Sequence, residues 1–170
     1  MDLYTYIRNV KDFPKPGIDF KDITPLLNSP VATLACLDQL LKMLGDRKVD
    51  KVVGIESRGF FFATLLAHKL NAGFVPIRKP GKLPHKTIKR SYALEYGDDH
   101  IEMHIDAIEN GDLVLLHDDV LATGGTAKAA CELIEQLGGK IVQCNFLMEL
   151  QFLRGREKIA GYDVQSVLKY

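Results

Sequence analysis

The 170-residue sequence has no excess of charge of either sign, 22 basic residues balancing 22 acidic ones. Such a chain offers no broad positive field to a nucleic acid, so any anion it handles is small and locally bound. Cysteine is scarce. Cys36, Cys131 and Cys144 are odd in number, widely spaced and set among apolar neighbours, which argues against a disulfide framework and suits free thiols in a reducing compartment. Long apolar runs are also missing. The longest, Phe60 to Ala67, is far too short to span a bilayer. The first ten residues contain Asp2 and Arg8 and have no apolar stretch of the secretory kind. Cytoplasmic location is therefore the default expectation. With no internal repeat, low-complexity tract or charge block, residues 1–170 are expected to form one domain. A chain of this length buries roughly 70% of its unfolded surface without a disulfide or metal staple.

Composition shifts only in two Pro-rich loops. The first, Asp12 to Pro25, contains Pro14, Pro16 and Pro25, which fix φ and remove donors, so it is neither an interior helix nor a central strand. The second, Lys79 to Arg90, mixes Pro80, Gly81 and Pro84 with Lys79, Lys82, Lys86, Lys89 and Arg90 and reads as a mobile cationic flap.

Apolar runs at Lys51 to Ile55, Gly73 to Ile77, Leu113 to Leu116 and Ile141 to Leu147 predict strands of a covered sheet, with helical stretches between most of them. Pro30 to Leu44 and Thr126 to Leu137 are the clearest helices. In the second, Ala127, Ala130, Cys131, Ile134 and Leu137 fall on one stripe, and Gly138-Gly139 ends it. Ser91 to Tyr96 and His100 to Ile105 alternate instead, around the hairpin chemistry of Gly97-Asp98-Asp99. The expected fold is α/β, a mainly parallel sheet with a small antiparallel addition.

Ligands of open α/β sheets sit beyond the carboxyl ends of strands. There the run Leu113 to Leu116 leads into His117, Asp118 and Asp119 and then Ala122-Thr123-Gly124-Gly125-Thr126. The Gly-rich loop lets successive N–H groups aim into one concavity at the positive end of the following helix, a nest that holds phosphate without a lysine. Two carboxylates repel phosphate but accept hydrogen bonds from a vicinal diol. Together the parts match a ribose carrying a 5-phosphate. A P-loop is excluded by the lack of Gly-Lys-Ser/Thr, and a dinucleotide fingerprint by the glycine spacing. An acidic turn before a helix cap is the bland alternative.

These residues resemble the phosphoribosyl-pyrophosphate (PRPP) signature of the type I phosphoribosyltransferases, in which two acidic residues precede a Thr-Gly-Gly-Thr loop. The resemblance covers nearly the whole chain and is strongest to the adenine-using members. It includes Phe13 to Ile18, Phe20 to Pro25, Gly54 to Phe60, Ile77 to Pro84 and Glu95-Tyr96-Gly97. It implies a parallel sheet flanked by helices, an N-terminal hood over residues 1–29, and a flexible flap and hairpin over residues 79–100. The implied reaction transfers the phosphoribosyl group of PRPP to adenine, giving AMP and pyrophosphate.

The resemblance also implies roles for single residues. Glu56, Ser57 and Arg58 match the pyrophosphate loop, where a non-proline cis peptide is common. Arg78, Lys79 and Lys82 add positive charge for the leaving group, whereas Lys86, Lys89 and Arg90 fit a solvated face better. Asp19, Phe20 and Lys21 match the hood that receives adenine, with the Phe20 ring stacking on the base and Arg58 covering its other face; a plain core role is the alternative for Phe20. Glu95 matches the carboxylate near the purine, suited to take the imidazole proton as N9 attacks, and Tyr96 is expected to bond a phosphate or the flap. Strand alternation gives Glu95 a bland reading too. Mg²⁺ is expected to be carried by PRPP, with no direct protein ligand and a water bridge to Asp118 or Asp119. A homodimer that helps order the pyrophosphate loop is implied as well. The sequence departs from the family at His117 and Asp19, where apolar residues are usual, and Asp19 leaves reading of the adenine edge open.

His100-Ile-Glu-Met-His104 has the spacing of a zinc pair, but its glutamate is displaced and the segment reads as a strand, so solvent-facing histidines are expected. Two rival functions remain. One is an enzyme for hypoxanthine, guanine or xanthine, which the hood near Phe20 argues against. The other is a PRPP-sensing regulator, which needs a DNA-binding segment that neither the charge nor the roughly ten residues before Lys11 provide.

Overall fold

The structure is a computed structural model, and it describes residues 1–93 and 98–170. Glu95 and Tyr96 lie outside the described residues.

The elements follow in chain order: β1 (Arg8–Val10), β2 (Phe20–Asp22), α1 (Thr24–Leu27), α2 (Pro30–Leu44), β3 (Lys51–Ile55), α3 (Gly59–Leu70) and β4 (Gly73–Ile77). After them come β5 (Thr87–Ala93), β6 (Asp98–His104), β7 (Leu113–Leu121), α4 (Gly125–Gln136), β8 (Lys140–Glu149) and β9 (Val164–Lys169). β4, β3, β7, β8 and β9 lie side by side in that order, all parallel. The α/β class is thus as the apolar runs imply.

Both sides of this sheet are covered, which is why its strands read as unbroken apolar runs. Side chains alternate across a strand. Val53, Val114 and Leu116 enter one core with Ala130, Cys131 and Ile134 of α4. Their neighbours Val52 and Leu115 enter the other with Leu37 and Leu40 of α2 and Phe62 and Leu66 of α3. α2 starts at the expected Pro30, where the Ser29 hydroxyl accepts the Ala32 N–H at 3.3 Å. The end of α4 is sealed by Gly138 at φ 88° and by Gly139 N–H to the Ile134 carbonyl at 3.0 Å.

Two boundaries differ from expectation. β7 does not stop at Leu116 but continues through His117, Asp118 and Asp119 to Leu121, because β8 pairs with it out to Leu121↔Glu149. The acidic pair therefore sits on a rigid strand end. The flap expected over Lys79 to Arg90 is a loop only as far as Lys86, and β5 begins at Thr87, where Ile88 and Tyr92 pack on the core. Asp99, expected in a turn, pairs with Tyr92, whose hydroxyl donates to its carboxylate at 2.9 Å.

At the carboxyl edge of the sheet, three adjacent strands release three loops. β3 leads to Glu56-Ser57-Arg58, β4 to Arg78 to Lys82, and β7 to Ala122 to Gly124. The hairpin β5–β6 is tied to the second by paired hydrogen bonds between Arg78 and Glu102, at 2.9 and 2.7 Å. The short ladder β1–β2 brings Phe20 beside the first.

Candidate functional site

Asp118 and Asp119 stand at the centre. Asp118 is half-buried and opens onto two clefts, while Asp119 is only 6% exposed. Burial pushes the Asp118 carboxyl well above the usual carboxylate range, and the neighbouring Asp119 charge adds to that. Burial also raises Asp119, against the pull of Arg58, whose Nε lies 2.7 Å from Asp119 Oδ2.

A cleft of about 60 Å³ is lined by Asp118, Ala122, Thr123, Gly124 and Thr126. Gly124 adopts φ 78° and caps α4, and its carbonyl accepts the Lys128 N–H at 3.0 Å. Only glycine takes that conformation cheaply. The turned loop and the start of α4 thus border this cleft.

The second cleft, about 180 Å³, is lined by Glu56, Arg78, Lys79, Tyr92, Asp118 and Thr126 among others. Its cations are already engaged. The Glu56 carboxylate accepts from Arg78 Nε and from the Lys79 N–H, each at 3.0 Å, and pairs with the Lys82 ammonium. Burial works to raise Glu56, but Lys82, the Lys79 amide and Arg78 together hold it below the ordinary glutamate range. The Lys79 ammonium bonds the Tyr92 hydroxyl at 2.9 Å and pairs with Asp99. Arg90, read as solvated, is exposed and pairs with Glu132 of α4 at 3.7 Å. The Glu56-Ser57 peptide is cis.

The third cleft, about 270 Å³, is lined by Asp19, Phe20, Lys21, Arg58, Val120, Ala122 and Met148 among others. Phe20 is half-buried and faces it, so the plain core alternative is set aside. The Arg58 guanidinium lies 4.7 Å from the Phe20 ring centroid and its Nη1 donates to the Lys21 carbonyl at 3.3 Å. Phe13 meets the same ring edge-on at 5.2 Å. Only the backbone of Lys21 takes part in that contact; its ammonium bonds Asn9 at 2.9 Å and covers the Tyr170 ring at 4.6 Å. Asp19 is exposed.

The three clefts adjoin, sharing Asp118 and Thr126 on one side and Val120 and Ala122 on the other. Gly59 allows this, since a methyl there would stand 2.7 Å from Asp118 Oδ1. A larger recess of about 420 Å³ at the amino ends of β3 and β7 carries both signs of charge, with Lys48 and Asp50 paired at 2.8 Å.

His117 is fully buried, with Nδ1 2.7 Å from Asn145 Oδ1. Burial pushes its imidazole down to about 4, so it is neutral filling behind the acid pair and not a cleft residue. His100 is exposed and His104 half-buried on β6. Sequence reading passed over Tyr92, whose alternation in a strand gave no sign of its bond to Lys79. It also passed over Gly155, which packs against the nest; its one sign was a glycine between Arg154 and Arg156.

The profile of the phosphoribosyl transferase domain matches residues 26–167. The chain is 64% identical to the adenine phosphoribosyltransferase of Christiangramia forsetii over 170 residues, all of this chain and 99% of that one. The crystal structure of adenine phosphoribosyltransferase from Rhodothermus marinus superposes with a TM-score of 0.95 at 56% identity, covering 99% of this chain and 96% of that one. The Saccharomyces cerevisiae enzyme, crystallised with adenine and an imino-altritol bisphosphate, gives 0.90 at 42% identity over 96% and 94% of the two chains.

Proposed function

The chain belongs to the phosphoribosyltransferase family, and from that premise we propose that it transfers the 5-phosphoribosyl group of PRPP to adenine, giving AMP and pyrophosphate. The adjoining of the three clefts along Asp118 to Thr126 carries this reading, because each suits one third of the reacting assembly.

The loop Ala122, Thr123, Gly124, Gly125 and Thr126 holds the 5-phosphate, and Asp118 and Asp119 accept from the ribose hydroxyls. Adenine enters between Phe20 and Arg58 in the hood, residues 1–29, where backbone groups near Asp19 and Lys21 read its edge. N9 attacks the anomeric carbon as the bond to the pyrophosphate oxygen breaks through an oxocarbenium-like transition state. The departing charge meets the backbone of Glu56 and Ser57, the Arg58 guanidinium, and Arg78, Lys79 and Lys82, which count for more once water is excluded. Glu95 takes the purine proton, Tyr96 bonds a phosphate or the flap, and closure of the flap, residues 79–100, shields the cationic sugar from hydrolysis.

Two oxygen-donor carboxylates, one half-open to the cleft, suit Mg²⁺, which keeps most of its waters and takes few protein ligands. Among the described residues no larger cluster of His, Cys, Asp or Glu could hold a metal. Carried by PRPP, the ion would supply positive charge to the leaving group, and Asp118 or Asp119 would be the residue to hold it through a water.

The working form is a homodimer. Val31 and Leu34 of α2 and Phe61 and Leu65 of α3 are exposed apolar side chains beside the Arg58 loop, and covering them would hold that loop. A reducing cytoplasm suits three buried, unbridged cysteines; among the described residues no helix is long and apolar enough to cross a membrane.

The test is to supply PRPP, Mg²⁺ and either adenine, hypoxanthine or guanine to the purified chain and separate the nucleotides formed. AMP from adenine is expected. Pyrophosphate release with guanine or hypoxanthine and none with adenine rejects the assignment.

A further inference from the structure

Behind the phosphate nest, two stretches of bare backbone interlock. A methyl on Gly155 would collide with the Ala122 carbonyl and the Gly124 nitrogen, and one on Gly124 would collide with the Gly155 carbonyl. The nest therefore rests on the short 3₁₀ segment Gly155–Ile159 with nothing but two glycines between them. Contact at that range transmits displacement directly, since neither side has a side chain that could yield.

That segment is itself fixed. Arg156, the next residue, forms a two-pronged pair with Glu149, Nε to Oε1 at 3.0 Å and Nη2 to Oε2 at 2.6 Å, and its Nη1 donates to the Val164 carbonyl at 2.6 Å. The Glu149 side chain is only 5% exposed and also accepts the Ser166 hydroxyl at 3.0 Å. Glu149 ends β8 opposite Leu121, which ends β7 one residue before the nest. Ile159 is buried in the core under α4. Gly155 is thus held from the strand end on one side and from the helix on the other.

We propose that Gly155 is a positioning residue for the phosphate nest, locked against it by the Glu149–Arg156 pair. The proposal rests on reading Ala122 to Thr126 as the 5-phosphate holder. Neither residue of the pair lines a cleft, so the pair touches no ligand and acts through the loop alone. The loss is confined to ligands that carry the phosphate.

Calorimetric titration of the full chain with AMP and with adenine separates the possibilities, using Gly155→Ala, the double variant Glu149→Gln/Arg156→Gln, which leaves no buried charge unpaired, and Thr126→Val within the nest. Gly155→Ala is expected to weaken AMP roughly 100-fold, the scale of a displaced binding group, with adenine affinity within about twofold of the wild type; the double variant follows in the same direction. Unchanged AMP affinity in Gly155→Ala while Thr126→Val weakens AMP overturns the inference and leaves the site reading standing. Unchanged AMP affinity in Thr126→Val as well overturns the site reading and the inference with it. Equal loss of AMP and adenine marks general damage and overturns the positioning role. If Gly155→Ala does not fold, the double variant is judged by the same three outcomes.

Discussion

The two halves of the cleft differ in how much of their ligand-binding capacity is already spent. On the β7–α4 side, the loop Ala122 to Gly124 borders an open cleft and Gly155 packs closely against its backbone. On the β3–β4 side, every cation assigned to the leaving group has a carboxylate partner: Arg78 and Lys82 share Glu56, the Lys79 ammonium pairs with Asp99, and Arg58 lies between Asp119 and Phe20. On the proposed function, one half is a receptor ready-made from backbone, the other a set of charges in balance that a polyanion and a base must re-partner. Preorganised backbone keeps its affinity without reorganising, whereas exchanged ion pairs gain little net energy and chiefly set which ligand is accepted.

The sharpest way to break this contrast lies where the halves meet. Asp118→Asn and Asp119→Asn are expected to lower kcat/KM for PRPP by about two to three orders of magnitude, the cost of losing a group aimed at the reacting sugar. Asp118→Asn should meanwhile melt no lower than the wild type. A carboxyl whose pKa is raised on folding opposes folding at neutral pH, and the amide removes that charge. Unchanged kinetics in both variants would sink the ribose assignment.

A second, smaller effect tests the interior behind the finished half. His117 titrates near 6.5 unfolded and about 4 folded, so between those values the unfolded chain binds the extra proton. Stability from this group is fully present above pH 6.5 and is lost as pH falls to about 4, roughly 3 kcal/mol in all. Denaturant melts across that window should show the wild type losing that much more than His117→Leu; parallel curves contradict a buried neutral imidazole.

The smallest effect tests the charge-balanced half. Lys82→Ala should raise KM for PRPP by about tenfold, as expected for one charge-assisted contact near solvent, and leave AMP affinity unchanged, which steady-state kinetics and titration with AMP can read. Equal weakening of both ligands would place Lys82 in the nest's half after all.

The same contrast governs what could be read from the sequence. The strand-loop-helix string was legible because its chemistry is local: Asp118 to Thr126 is contiguous, and a turn, a helix start and a strand end each leave their own residue signature. The sheet was legible for the same reason, since strands covered on both faces read as plain apolar runs. The length of β7 was not, because polar His117, Asp118 and Asp119 look like a loop until β8 is seen to pair beyond them. Nor was the state of the cations, which depends on pairs such as Lys82 with Glu56 that lie 26 positions apart. Gly155 stayed hidden because its reason is a contact with Gly124, and a contact between two bare backbones leaves no pattern along the chain.

A crystal structure of the chain with AMP is the most direct test of the central claim. The account predicts the 5-phosphate in the Ala122 to Thr126 loop, the ribose hydroxyls on Asp118 and Asp119, and adenine on the Phe20 ring with Arg58 moved off it. A phosphate held among Arg78, Lys79 and Lys82 with the loop empty, or Arg58 still lying on Phe20, would contradict it.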